Sequence, residues 1–501
     1  MHRSRASIHL WKRNLQICLT TTSSAARRHG ASQRPSGAPA TARWYWGLPY
    51  RPLLPHKVYG LVINYIDHGR PHLFSRPPLR SPASNSSSPK IDGLLGFLPE
   101  EETSGTWWSV LDHCNGLLLC AITWESELCV CNPATQRWTV LPSRRVERRR
   151  RDYAGAYLVF DPAVSQHYEV ILIPILPDAP SSSKDPCKVD EEKAHDDDDD
   201  DTCRLMEWPP STWRMNVFSS RTGQWEDRTF VRKGEPAGVV QDMRLDPFKP
   251  YWSAPRQLYA VYWQGVLNVH CRGYFILRLV LSKGKYQVLK TPVNYIKGVK
   301  PFQGRVKKIK TPTTEMKGAK PYLGRLKNSV CYGIVYDNEL RIWMLNESSG
   351  HTEWVMKYEI DIGLYADEVG SPLDKNGRKV YGSWMVEEDN RNEDDISEKH
   401  DKGIEWDSDN DDIFIPKVGD KVGYGGRPDI LGFHPSKKVV FLANWSFKVA
   451  AYHFDSRKFQ YLGYSRPRCY RRSFTNAIDE SFAYTPCMVG DLFHGDITRQ
   501  S

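Results

Sequence analysis

The sequence predicts an all-β fold, a β-propeller of six or seven blades with a disordered basic N-terminal tail and acidic loops. Three observations carry this. One hairpin phrase recurs six times, aromatic residues make up 12% of the chain with 17 Trp among them, and the stretches between phrases are charged and poor in aromatics. A 40% apolar content is enough for a large core and excludes wholesale disorder.

The phrase is an alternating apolar strand, a turn of Asn, Asp or Ser, and an aromatic that opens the next strand. It reads Cys129-Val-Cys-Asn132-Pro-Ala-Thr-Gln-Arg-Trp138, Leu158-Val-Phe-Asp161-Pro-Ala-Val-Ser-Gln-His-Tyr168 and Asn216-Val-Phe-Ser219-Ser-Arg-Thr-Gly-Gln-Trp225. It returns as Arg278-Leu-Val-Leu-Ser282-Lys-Gly-Lys-Tyr286, Ile342-Trp-Met-Leu-Asn346-Glu-Ser-Ser-Gly-His-Thr-Glu-Trp354 and Ala451-Tyr-His-Phe-Asp455-Ser-Arg-Lys-Phe459. Period-2 alternation supplies one buried face, and Asn, Asp, Ser, Pro and Gly supply the turn. Repetition at about a blade's length of chain indicates an array of small sheets, and radial closure leaves only short protected edges. The repeat aromatics Trp138, Tyr168, Trp225, Tyr286, Trp354 and Phe459 are assigned to packing; no catalytic, cofactor-binding or metal-binding residue is assigned.

Three insertions interrupt the array. Residues 180–203 contain a Ser run and Asp196–Asp201, and residues 367–412 hold sixteen acids against six bases; both read as solvated loops. Asp407-Ser-Asp-Asn-Asp411 resembles the start of a calcium loop, but Asp412 and Val418 stand where Gly and Glu are required. The third, 290–327, is a tandem duplication: Lys290–Lys307 and Lys310–Lys327 share Lys-Thr-Pro-x₄-Lys-Gly-x-Lys-Pro-x-x-Gly-Arg-x-Lys. Two copies are too few for a solenoid, so this segment too reads as a connecting loop.

The net charge of +10 suggests a polyanion binder until it is located. Residues 1–66 hold ten Lys and Arg and no acid, so the rest of the chain is neutral. Ile8, Trp11, Leu15 and Cys18 recur at helical spacing beside Arg5, Lys12 and Arg13, as in an organellar transit peptide. Eleven cysteines at irregular spacing, with no Cys-x-x-Cys, read as reduced thiols of a cytoplasmic or nuclear protein. No apolar run approaches the ~20 residues of a membrane span. The domain organisation is therefore a basic tail over 1–51, a linker over 52–94 and the propeller over 95–498.

Asp112-His-Cys-Asn-Gly-Leu-Leu-Leu-Cys120, followed by Cys131-Asn-Pro-Ala-Thr-Gln-Arg-Trp-Thr-Val-Leu-Pro142, resembles the opening of the F-box-associated, kelch-like domain of plant F-box proteins. Val217–Phe230, Tyr259-Ala-Val-Tyr-Trp-Gln-Gly-Val-Leu267 and the ending Tyr484-Thr-Pro-Cys resemble later parts of the grass expansion of that family. The resemblance spans roughly 52–498. It implies a propeller that recruits a client protein to a Skp1–cullin (SCF-type) ubiquitin ligase and is not itself an enzyme, with no cofactor. The family's F-box docks on Skp1, but residues 1–50 lack its Leu-Pro-x-x-Leu pattern and its acids. Skp1–cullin binding is thus expected only where a functional F-box is present, and residues 1–51 read as transit-like or as a replaced F-box region.

Two alternatives remain. Residues 283–327 carry thirteen bases against Glu315, interleaved with Tyr286, Tyr295, Phe302 and Tyr322, as in an RNA- or DNA-binding surface, with Arg144–Arg151 as a second basic cluster. A propeller enzyme with a site scattered over its loops is the other. There is no Gly-x-Ser-x-Gly, His-Glu-x-x-His or phosphate loop. His113 and Cys114 are adjacent in a strand and so point to opposite faces. Asp112 reads as a stabiliser of the turn before the Cys114-Asn-Gly strand.

Overall fold

The computed structural model describes residues 58–76, 91–98, 108–122, 127–144, 153–177, 203–244, 259–293, 320–336, 338–348, 351–363, 382–387, 428–470 and 477–489. All lie within one compact unit, Leu53–Ser501.

The described chain opens with β1 (Gly60–Tyr65) and β2 (His72–Ser75). The first four-stranded meander is β3 (Trp108–Cys114), β4 (Leu117–Ile122), β5 (Glu127–Asn132) and β6 (Arg137–Val140). The second is β7 (Tyr153–Val159), β8 (Glu169–Pro174), β10 (Thr212–Ser219) and β11 (Gln224–Lys233), flanked by a ribbon of β9 (Glu207–Trp208) and β12 (Gly238–Val239). The third is β13 (Ala260–Trp263), β14 (Val266–Cys271), β15 (Phe275–Val280) and β16 (Lys285–Lys290). It joins the second through parallel pairing of β11 with β16, so that one eight-stranded sheet spans both. The fourth is β17 (Tyr322–Leu326), β18 (Ser329–Tyr336), β19 (Glu339–Ser348) and β20 (His351–Asp361). After β21 (Met385–Val386) comes the fifth: β22 (Asp429–Phe433), β23 (Val439–Ala443), β24 (Lys448–His453) and β25 (Lys458–Tyr464). β26 (Ile478–Tyr484) then pairs with β1, giving a sixth sheet in the order β21-β2-β1-β26.

Strand burial follows position. β4 (LLLCAI) and β23 (VVFLA) are buried along their whole length between neighbouring sheets and read as continuous apolar runs. The outer strands β11 and β20 are largely exposed. The first strands of the six units touch in cyclic order: β3, β7, β13, β17, β22, β26 and back to β3. Their starts meet starts and their ends meet ends. Lys320 Nζ, ahead of β17, donates to the Ile478 carbonyl (2.9 Å) and lies 3.9 Å from Asp429 Oδ2. At the other end Cys114 Sγ donates to the Phe160 carbonyl (3.2 Å), and Lys327 N to that of His434 (3.3 Å). The inner strands thus run in one direction, as in a radial array of the propeller type.

Side chains bolt one unit to the next. Asn64 on β1 exchanges two hydrogen bonds with the Val110 backbone of β3 (2.7 and 3.1 Å). Asp112 lies within β3 and not in a turn, contrary to the sequence expectation, and its carboxylate accepts from Leu158 N on β7 (2.8 Å). Ser481 Oγ on β26 donates to the Leu431 carbonyl on β22 (2.7 Å).

Three boundaries differ from those read in the sequence. Residues 52–94, taken as a linker, contribute β1 and β2 to the closing sheet. The insertion 290–327 ends in β17, the inner strand of the fourth unit, and 367–412 supplies β21, which pairs with β2. Short strands embedded in basic or acidic sequence carry too little periodicity to be seen locally.

The β3–β4 turn holds Asn115 (φ 46°) and Gly116 (φ 90°), the positive pair that a tight hairpin of type I′ requires. A Cβ at Gly116 would meet Cys487 Cβ and N at 2.5 Å and the Thr485 carbonyl at 2.7 Å. Gly116→Ala is therefore expected to cost about 2–4 kcal/mol, read as a fall in the urea midpoint at unchanged slope.

Candidate functional site

All six phrases form hairpins, and their aromatics enter the hydrophobic clusters. Tyr168, Tyr286 and Phe459 are buried; Trp138, Trp225 and Trp354 are half-buried against the same clusters. Two of the tryptophans also act as latches between units. Trp225 Nε1 on β11 donates to the Pro142 carbonyl just past β6 (2.8 Å), and Trp354 Nε1 on β20 donates to the Lys290 carbonyl at the end of β16 (3.0 Å). The indole thus ties the outer strand of one unit to the last strand of the unit before it.

The common strand direction defines two faces. On the face where the inner strands end, first-to-second-strand turns are tight, as at Asn115–Gly116, Gln264–Gly265 and Lys327–Asn328. On the face where they begin lie the second-to-third-strand turns and the connections between units. The 180–203 segment lies between β8 and β9, ahead of β10, the duplicated segment joins β16 to β17, and the acid-rich segment runs between β20 and β22 by way of β21. The Arg144–Arg151 cluster joins β6 to β7. Every long charged insertion is therefore rooted on one face; most of 180–203 and of 367–412, and the duplicated stretch 294–319, lie outside the described residues.

Between the fifth and sixth units this face carries a cluster that the sequence reading did not single out. His68 lies in the β1–β2 turn, His72 opens β2, and Cys469 lies in the connection from β25 to β26. His68 Nε2 and His72 Nε2 are 2.9 Å apart, and Cys469 Sγ is 3.9 Å from each. Tyr65, Phe447 and Tyr470 surround them: the Tyr65 ring lies 6.1 Å from that of His68, 6.1 Å from that of Phe447 and 5.2 Å from that of Tyr470. Arg466 lies over Phe447 and Tyr470 (5.8 and 5.7 Å). Burial, then the neighbouring His72, pushes His68 down to about 4, and burial also lowers His72, so both imidazoles are neutral at pH 7. Beside the cluster, Trp445 (64% exposed) crowns the β23–β24 turn and Tyr464 (46%) ends β25. The spacing His68-x₃-His72 was the one local signal available.

The centre of the ring is filled by side chains. Tyr259 and Tyr322 pack at 4.0 Å between ring centroids, Tyr322 OH donates to the Ser481 carbonyl (3.0 Å), and Phe482 closes against Tyr259. Tyr322 and Tyr286, which the nucleic-acid reading used as stacking platforms, are both buried in the core and present no face to a base. Tyr295 and Phe302 lie outside the described residues. His113 and Cys114 diverge as expected: the imidazole packs on Phe482 and the thiol donates to the Phe160 carbonyl. Burial pushes the Cys114 and Cys271 thiols well up, away from the nucleophilic thiolate.

The sheets and their cyclic contacts define an all-β protein of the propeller type. No family model and no curated relative matches the chain. Among solved structures, YCF48 bound to D1 peptide is similar at 8% identity and a TM-score of 0.29, covering 82% of this chain and 82% of that one. YCF48 from Cyanidioschyzon merolae gives 8%, 0.30, 81% and 86%. The N-terminal domain of Nup159 gives 12%, 0.23, 80% and 75%. The assignment to the propeller type rests on the strand pairing itself. Among the described residues no helix is long and apolar enough to cross a membrane.

Proposed function

We propose that the chain is a six-bladed, kelch-like propeller that works as a non-catalytic protein-interaction module, the client receptor of an SCF-type F-box protein. The observation that supports this most directly is the asymmetry of the two faces. Rigid sheets root the charged connections β6–β7, β8–β9 and β16–β17 on one face, the arrangement by which scaffolds present variable binding loops. The same face exposes Trp445 and Tyr464, side chains of the type that dominates binding energy at interfaces. The F-box assignment comes from the sequence resemblance alone.

Two measurements test the reading. Trp445→Ala with Tyr464→Ala is expected to weaken binding of the principal captured protein by about tenfold or more at an unchanged melting temperature. Unchanged binding removes this face from the interaction. Purified Skp1–cullin retained by the full chain supports the ligase role. Client capture without Skp1 identifies a receptor domain detached from the ligase.

A further inference from the structure

We propose that His68, His72 and Cys469 form a three-ligand zinc site that clips the closing sheet to the connection out of the fifth unit. The site needs no client and stands independently of the interaction reading.

The geometry is set before any ion arrives. The β1–β2 hairpin fixes both histidines, since His72 pairs with Ile63 and the His68 amide donates back to the Tyr65 carbonyl (3.3 Å). The connection bearing Cys469 is held on either side of the cysteine. Tyr65 OH donates to the Ser465 carbonyl, and Tyr470 OH donates to the Ile66 carbonyl (2.6 Å). The three donor atoms consequently all lie within 4.8 Å of one another. Tetrahedral zinc, with bonds of about 2.0–2.1 Å to nitrogen and about 2.3 Å to sulfur, needs N···N near ~3.4 Å and N···S near ~3.6 Å. The observed 2.9 and 3.9 Å reach those values by shifts of a few tenths of an ångström.

The orientation of the rings also fits. His72 Nδ1 lies 3.3 Å from the Glu387 carbonyl, so Nδ1–H donates there and the Nε2 lone pair faces His68 and the thiol. Metal-bound imidazoles are oriented by such a second hydrogen bond. Without an ion, His68 Nε2–H supplies the proton between the two nitrogens. With zinc, the His68 proton moves to Nδ1 by exchange with solvent, which frees the Nε2 lone pair, and the contact is replaced by two Zn–N bonds. The thiol becomes a thiolate and its proton goes to solvent. Neutral imidazole is the ligating form. Two imidazoles and a thiolate, with no carboxylate, favour zinc over the oxygen-seeking Mg²⁺ and Ca²⁺. Cys469 is exposed, which places the fourth position on the solvent side for water or for a side chain of a bound protein.

The test uses the full chain, stripped with a chelator and titrated with Zn²⁺. One equivalent is expected to bind and to raise the melting temperature. Cys469→Ser, His68→Gln and His72→Ala are each expected to weaken binding by about a hundredfold or more; the first two are expected to melt where the metal-free wild type melts, and His72→Ala, which truncates a buried side chain, below it. Cys203→Ser is expected to bind as the wild type does. Co²⁺ in place of zinc is expected to give a sulfur-to-metal charge-transfer band that Cys469→Ser abolishes; this readout does not depend on stability. Binding of less than about a tenth of an equivalent, a Co²⁺ band that survives Cys469→Ser, or binding of Cu⁺ without Zn²⁺ would each overturn the assignment.

Discussion

Lowering the pH from 7.5 to 5 is expected to destabilise the folded chain by about 4 kcal/mol through His113 and His270 alone. Burial pushes His113 from 6.5 down to about 4, opposed by a hydrogen bond with the Ala483 backbone, and pushes His270 from 6.5 down to about 3. Both are bases whose folded values are depressed. Between pH 6.5 and those values the unfolded chain therefore binds more protons than the folded one. Their contribution is complete above 6.5 and is lost progressively as the pH falls; at pH 5 each loses about 2 kcal/mol. His270 makes the cleaner test. It sits on β14 with neither ring nitrogen hydrogen-bonded, and the ring stands at 89° to that of Tyr332, 5.6 Å away. His270→Phe replaces a buried imidazole that gains nothing for its lost hydration. At pH 7.5 it should be neutral or stabilising, and it should remove about half of the loss at pH 5. His68 and His72 add loss of the same sign, which is why variant and wild type are compared by urea unfolding at both pH values. An unchanged acid loss in His270→Phe would refute the assignment.

Removing residues 478–489 is expected to abolish cooperative folding altogether. β26 is the inner strand of the closing sheet and pairs along β1 from Gly60↔Tyr484 to Tyr65↔Ile478. Ile478, Phe482 and Tyr484 are buried, and burial of three such side chains is worth about 5–8 kcal/mol, comparable with the whole stability of a typical domain. Ser481 adds a junction between units: its hydroxyl donates to Leu431, its amide to Tyr259 OH (3.4 Å), and its carbonyl accepts from Tyr322 OH. Without β26 the polar edge of β1 and the apolar centre of the ring face water together. A melt followed by circular dichroism should lose its sigmoidal transition, and a peptide of residues 477–489 added in trans should restore it. A truncated chain that still melts as sharply as the full one would show that the ring does not depend on this strand. Ser481→Val gives a graded version, about 1–3 kcal/mol, because the Leu431 carbonyl loses its donor.

How far the fold was legible depends on the distance over which each feature is encoded. Alternation, turn residues and the following aromatic are neighbours in sequence, and all six phrases form hairpins. Five of them are the third and fourth strands of units one to five, while Leu158–Tyr168 joins β7 to β8, the first and second strands of its unit. The sixth unit has no phrase because its outer pair, β2 and β21, brings Ser75 to Met385 across most of the chain. The same limit hid the donor cluster: His68 and His72 are four positions apart, but Cys469 is 397 residues from His72.

The sequence by itself thus determined the all-β class and the hairpins. Turn chemistry and period-2 burial act between residues a few positions apart and need no partner beyond the hairpin. Only the tertiary structure decided which strands close the ring, that the insertions share one face, and that two imidazoles meet a thiol. Each of these requires segments hundreds of residues apart to be held together, and that order is stabilised by the summed burial of the whole array instead of by any local pattern.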